Sequence, residues 1–355
     1  MIPLNKPTIV RKDLEYVLNC LITERIEEGE LTREFEKSIC HFLNLKYSVA
    51  TNSFSSSLHL ALLALSLQPD DEIILSAYTP SYILNVFRYI QVKPVLADID
   101  LSSYNMDIKQ VEQKISGKTK AILLNHAFGL PADIDAFLNL NIPIIEDCSY
   151  AFGSEYTSAV MPELKLTGSF GIFSLFSFDT DTNITTGNGA MMVSNSRDLV
   201  LNAKKYKLNP LAEEKDMQIR YDYRISDISS ALGLSQLKIV KKLIDRRVEI
   251  ANYYSERFQR SKNKIIRVPE NMKSVYSKYT LLLEGNLEKT IRFMRQNKVD
   301  ADRPVPSPAY SVLDPEGREY PNAFQCYNKL IEIPVYPSLK KKEIERVANT
   351  FLKVF

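Results

Sequence analysis

Between residues 47 and 149 the chain repeats one pattern, a short apolar run followed by a segment with helical spacing. The runs are YSVATN, EIILSA, KPVLADID, KAILLNHA and IPIIEDCS. They have strand length, and the stretches between them place apolar residues every three or four positions. Parallel strands need a crossover, usually a helix, so this alternation predicts a mostly parallel α/β sheet with helices on both faces. Two further runs, GIFSLFSF and GAMMVSN, follow without a long helix between them. Residues 14–44 read as two helices broken near Gly29, and Ile225 to Phe258 as one long helix. The remaining sequence mixes SVYSKYTLLLE, a helix-like LEKTIRFMRQN, a proline-rich RPVPSPAY, IEIPVYPSL and a final helical segment, which makes an α+β unit. The expected division is a large domain over 1–245 and a smaller α+β domain over 246–355.

A chain of 355 residues is too long for one small core, which supports two domains. Its 45 basic and 43 acidic residues leave a net charge of +2, without the positive field that drives nucleic-acid binding. Basic runs such as KKLIDRR and KKKEIER read as solvated helix faces. Cys20, Cys40, Cys148 and Cys326 are scattered without CxxC pairing, and His41, His59 and His126 fall in unrelated segments, so no metal site is expected. The four thiols are expected reduced and mostly buried. The amino end has no signal-like apolar core, and no stretch reaches the roughly 18 apolar residues of a membrane span. The expectation is a cytoplasmic protein with neither a nucleic acid nor a membrane as partner.

In an open parallel sheet, ligands bind beyond the carboxyl ends of the strands. After YSVAT comes Asn52-Ser53-Phe54-Ser55-Ser56-Ser57, directly before the helical LHLALLAL. Hydroxyls and free amides at a helix start suit a phosphate, although a plain serine cap fits the fragment as well. Asp147 follows IPIIE and can hold a cationic ring nitrogen, act as a base or cap the next turn. The polar loop from Asp179 to Gly189 is either a site or a connection.

These segments resemble the DegT/DnrJ/EryC1/StrS sugar aminotransferases nearly end to end. The likeness is carried by IPLNKP, LTREFEKSI, LHLALLAL, PDDEIILSAYT, KPVLADID, TKAILLNHAFGLPADIDA, IPIIEDCSYAFG, GSFGIFSLFSF, ITTGNGAMMVS, YDYRISDISSALGLSQLKIVKKLIDRR and IPVYPSL. The resemblance implies a type I pyridoxal phosphate transferase fold, similar to aspartate aminotransferase, with a mostly parallel seven-stranded sheet. It also implies a site at a dimer interface and a role in making amino sugars for polysaccharides or natural products. By that resemblance Asp147 partners the pyridine nitrogen, Ser55 and Ser177 match phosphate-facing hydroxyls, Ser53 is a pocket position, and His126 matches a motif residue.

Other pocket positions depart from the family pattern. Thr182 stands where the lysine of the internal imine belongs, and no lysine lies between Lys165 and Lys204. A hydroxyl cannot condense to an imine, and it is a poor base at neutral pH. Phe54 replaces a glycine of the phosphate turn, Pro80 a stacking aromatic, Tyr150 a glutamine, and Asp222 an asparagine that reaches the phosphate from the partner subunit. Asp222 is expected to place like charge beside that phosphate.

The reading these departures favour is a homologue without pyridoxal phosphate and without transaminase activity. It would act as a nucleotide-sugar-binding protein, as the partner of an active homologue, or as a cofactor-independent enzyme with acid–base groups among Asp179, Asp181 and Asp222. The alternative is an aminotransferase or dehydratase using noncovalent pyridoxal or pyridoxamine phosphate. A homodimer, or a heterodimer with an active homologue, is expected in either case.

Overall fold

All seven apolar runs enter one sheet. Its strands are β1 (Tyr47–Thr51), β2 (Glu72–Ser76), β3 (Lys93–Ala97), β4 (Thr119–Asn125), β5 (Ile144–Asp147), β8 (Phe173–Ser177) and β9 (Ala190–Ser194). They lie in the order β1-β9-β8-β5-β4-β2-β3. Every pair from β8 to β3 is parallel, and β9 runs against both β8 and β1. The antiparallel strand is the one reached without an intervening helix, as a hairpin-like return requires. The computed structural model describes residues 1–24, 26–159, 164–209, 218–259 and 261–354.

Two smaller sheets flank this one. Strands β6 (Glu155–Thr157), β7 (Leu164–Leu166) and β11 (Met272–Lys273) form the first, and β10 (Lys264–Ile265), β12 (Tyr279–Leu282) and β13 (Leu330–Ile333) the second. Strands β6, β7, β10 and β11 have two or three residues each. That is too short for an alternating pattern to stand out in the sequence.

The two amino-terminal helices are α1 (Arg11–Ile22) and α2 (Glu30–Leu43), separated at Gly29 as expected. The crossovers α3 (Phe54–Ala64), α4 (Leu84–Ile90), α5 (Ile108–Lys114) and α6 (Ile134–Leu138) link strands of the main sheet, and α7 (Arg197–Tyr206) follows β9. The predicted long helix is α8 (Asp227–Phe258), with Ser226 capping it by accepting the Ser229 N–H. Beyond it come α9 (Leu287–Gln296), α10 (Tyr310–Leu313), α11 (Pro321–Lys329) and α12 (Lys341–Leu352).

The first turn of α8 also holds α2 in place. Buried Asp227 accepts hydrogen bonds from the backbone N–H groups of Gly29 (2.8 Å), Leu31 (3.1 Å) and Thr32 (2.9 Å), and from the Thr32 hydroxyl (2.8 Å). A carboxylate from another helix thereby satisfies the free donors of an α-helix start and complements its dipole. Gly29 permits this approach, because a Cβ there would lie 2.9 Å from Asp227 Oδ2.

One apolar core packs helices such as α3 and α4 against the main sheet. Another joins the second half of α8 to β12, β13, α9 and α12, and includes Ile2 from the amino terminus. Cys20, Cys40, Cys148 and Cys326 are all free and buried. No helix among the described residues is long and apolar enough to cross a membrane.

Candidate functional site

The parallel strands deliver the predicted residues to one edge, since β4, β5 and β8 end at Asn125, Asp147 and Ser177. A cavity of about 40 Å³ opens there, lined among others by Tyr78, Pro80, Asn125, His126, Asp147 and Tyr150. Asp147 is buried, and its Oδ1 accepts from the Ser149 hydroxyl (2.6 Å) and backbone N–H (3.0 Å). Burial raises its pKa, while the Ser149 bonds oppose the rise. The turn-capping role foreseen for Asp147 therefore coexists with a place on the cavity wall. Two more wall atoms, the Tyr78 hydroxyl and Asn125 Oδ1, are buried without a hydrogen-bond partner. Orphaned polar atoms cost about 1–3 kcal/mol each, which makes the cavity a place where a polar ligand gains free energy.

His126 lies at the same edge but is fully committed. Its Nδ1 accepts the Ala132 N–H (3.0 Å), so Nε2 carries the proton and donates to Glu146 Oε2 (3.2 Å). Glu146 also accepts from the N–H groups of Gly168, Phe170 and Gly171 at 2.6–2.8 Å. Burial alone raises the Glu146 pKa, but the His126 and backbone hydrogen bonds outweigh it and bring it below the ordinary value. Cys148 stands close enough to complete a His-Glu-Cys trio. The engaged lone pairs of His126 and Glu146 make that trio a structural knot rather than a metal site. His126 is a buried support here, and the geometry gives it no free nitrogen for catalysis.

Thr182 is buried in the loop after β8, with its hydroxyl 2.9 Å from the Asp179 carbonyl and 2.7 Å from that of Ile184. Its own carbonyl accepts from Arg247 at 3.4 Å. The side chain closes the loop on itself and offers nothing to a ligand. Ser177 donates to Asp179 Oδ2 at 2.8 Å, which engages its hydroxyl with a carboxylate. Burial raises the Asp179 pKa, and nearby Asp181 adds to the rise.

Tyr150 lines the cavity and donates to Asp181 Oδ2 at 2.9 Å. Above its ring, 4.9 Å from the centroid, sits the Lys278 ammonium. This amine donates to Glu332 (3.1 Å) and the Pro304 carbonyl (3.1 Å), and lies 3.7 Å from Asp181. Burial raises the Glu332 pKa, and Lys278 opposes the rise. Tyr82, which is 51% exposed, lies in the field of Asp147, Asp179 and Asp181. The cleft is therefore acidic, with Lys278 and Arg247 as its buried cations. Sequence reading did not find Lys278, Glu332, Arg247, Tyr78 or Asn125. A lysine inside the apolar run SVYSKYTLLLE was the available signal.

The hydroxyl-rich turn after β1 is a capped helix start. Ser53 accepts the Ser56 N–H, Ser56 donates to Asn52 Oδ1 at 2.7 Å, and Ser53 and Ser55 are half-buried. Phe54, at the first position of α3, is buried in the main core. Pro80 bridges to Pro308, which draws the proline-rich loop over the cleft; Ser81 N–H donates to the Ser307 carbonyl at 2.8 Å. Asp222 does not add uncompensated charge as expected. Arg224 grips both its oxygens at 2.8 and 2.9 Å, leaving the pair neutral and its carboxyl below the ordinary pKa range.

The fold implies pyridoxal phosphate, and the residues fit that group at one end only. Asp147, Asn125 and the Tyr78 hydroxyl suit a polar ring with a protonated nitrogen. At position 182 the threonine hydroxyl is spent on backbone carbonyls, and the Lys278 ammonium is shared between Glu332 and Asp181.

The family model of the DegT/DnrJ/EryC1/StrS aminotransferases matches residues 7–352. A GDP-perosamine synthase of Escherichia coli O157:H7 is 31% identical over 357 residues, covering 97% of this chain and 95% of the relative. Helicobacter pylori PseC, an aminotransferase of pseudoaminic acid biosynthesis, superimposes with a TM-score of 0.90 at 25% identity, covering 100% of this chain and 99% of that one. Streptococcus pneumoniae Spr1654 in its PLP-form gives a TM-score of 0.91 at 25% identity, covering 99% and 98%. Its PMP-form gives the same score at 24% identity, a likeness of fold. This chain belongs to the DegT/DnrJ/EryC1/StrS aminotransferase family.

Proposed function

We propose that this protein acts on a nucleotide sugar and holds pyridoxamine phosphate noncovalently, without an imine at position 182. The carrying observation is the cavity at the β5 end, where Asp147 stands beside two orphaned polar atoms while the Thr182 hydroxyl is spent on backbone carbonyls. Perosamine synthases and other sugar aminotransferases among the relatives support the substrate class. Bound there, pyridoxamine phosphate supplies an amine and an electron-accepting ring. Asp147 would hold the ring nitrogen protonated, and Asn125 and Tyr78 would orient the ring edge. Tyr150, drawn to Asp181, would wall the cavity from water. The hydroxyls at the start of α3 would face the phosphate, with Asp222 and Arg224 of a second copy beside it.

A second reading is a family member that uses no cofactor and serves as a nucleotide-sugar-binding protein or as the partner of an active homologue. It is favoured by the size of the cavity, about 40 Å³ against the roughly 300 Å³ or more of ordinary ligand sites. The Ser177–Asp179 contact, which sets a carboxylate near the phosphate position, points the same way.

Calorimetric titration with pyridoxamine phosphate separates the two. The first reading expects micromolar binding that Asp147→Ala weakens at least a hundredfold. Absence of measurable binding selects the second. A borohydride-reducible adduct of pyridoxal phosphate on a cleft lysine would refute both.

A further inference from the structure

A second cavity, about 1190 Å³, adjoins the first at Tyr104, which lines both, but does not include Asp147. One wall is formed by residues 100–105 and 130–133, the other by the end of α8 and the segment after it. Its polar lining includes the amides of Asn252, Gln259 and Asn263 and several hydroxyls, and its charged groups balance, Asp100 and Asp133 against Lys264 and Arg267. Asn263 is only 5% exposed, and its Oδ1 accepts the Glu284 N–H at 3.3 Å. That bond orients the amide, and the Nδ2 group is left buried without an acceptor. Asn252 and Gln259 are exposed and make no side-chain hydrogen bond among the described residues. The carboxylates on the facing wall are engaged locally, Asp100 by Ser102 and Asp133 by the Tyr156 hydroxyl.

Two tyrosines on the cavity wall adopt left-handed backbone, Tyr104 at φ +61° and Tyr276 at φ +46°. Bulky side chains rarely take that conformation. Half-buried Tyr276 adds an aromatic ring to the lining.

We propose that this groove is a carbohydrate-binding site separate from the Asp147 cleft. A side-chain amide offers a donor and an acceptor side by side, the pattern that neighbouring sugar hydroxyls satisfy. A tyrosine ring packs against the apolar face of a sugar and keeps its own hydroxyl in water. The volume exceeds a typical small-molecule site of roughly 300–1,000 Å³, so the ligand is a chain of several rings rather than one sugar.

The test is saturation-transfer NMR and calorimetry on the full chain with two neutral trisaccharides, one of N-acetylglucosamine and one of mannose, and with UDP-N-acetylglucosamine as the charged arm. At least one trisaccharide is expected to bind, and Asn252→Ala with Gln259→Ala to weaken it tenfold or more at unchanged Tm. Asn263→Asp keeps the acceptor for Glu284 and removes the donor, so it should abolish binding while the protein still unfolds cooperatively. Asp147→Ala should leave trisaccharide binding unchanged. Failure of both trisaccharides to bind, binding by the nucleotide sugar alone, or affinity indifferent to the groove variants would overturn the proposal.

Discussion

Thr182 shows how much structure one buried side chain can carry. Its hydroxyl joins the two ends of a tight loop, and its carbonyl receives Arg247. Thr182→Val keeps the shape and removes the hydroxyl, leaving buried carbonyls short of a donor; a loss of about 1–2 kcal/mol is expected in denaturant unfolding. Pyridoxamine phosphate affinity should change by less than threefold, since Thr182 faces no ligand. Asp147 behaves in the opposite way. Its folded pKa is raised, so its stabilising contribution is complete below the unfolded value and is lost as pH climbs through the folded one. Asp147→Asn should therefore raise Tm at neutral pH, with a gain that shrinks towards pH 4. A gain independent of pH would mean that the carboxyl is not desolvated in solution.

Among the elements, α8 does the most to set the site. Its first turn caps α2 through Asp227, its middle sends Arg247 across the interior, and its second half belongs to the second core. Arg247 is 3% exposed and donates to the carbonyls of Ser277, Val335 and Thr182. Burial lowers its pKa to about 10, against the pull of Asp181 and Glu332. Arg247→Met removes the shared cation and strands these acceptors, for an expected loss of about 3 kcal/mol or more in thermal or denaturant unfolding. Asp227→Ala should cost about 2 kcal/mol, because several backbone donors at the start of α2 lose their acceptor together. Asp227→Asn, which retains acceptors but not the charge, should recover part of that loss.

At the scale of the whole molecule, the cleft is bounded by the main sheet on one side and by the Lys278–Glu332 pair of the second core on the other. A ligand bound there ties both parts to the folded state. Pyridoxamine phosphate at about 100 times its dissociation constant should add about 2.7 kcal/mol to global unfolding, seen as one cooperative shift in Tm. The sequence by itself determined the architecture. Strand-length apolar runs with helical spacers can bury themselves only as a mostly parallel sheet, and the order of polar strand ends put Ser53, Asp147 and Ser177 at one edge. It also made plain that position 182 carries no amine. What it could not contain is which polar atoms meet. Arg224 neutralises Asp222, Asp179 takes the Ser177 hydroxyl, Glu146 and Ala132 consume both His126 nitrogens, and Lys278, just before β12, reaches over Tyr150 from more than 100 residues away. Those partnerships depend on three-dimensional proximity between segments distant in the chain, and burial then sets the charge each group can hold. Apolar periodicity is a local property of the chain, whereas pairing and desolvation of polar groups exist only once the chain has folded.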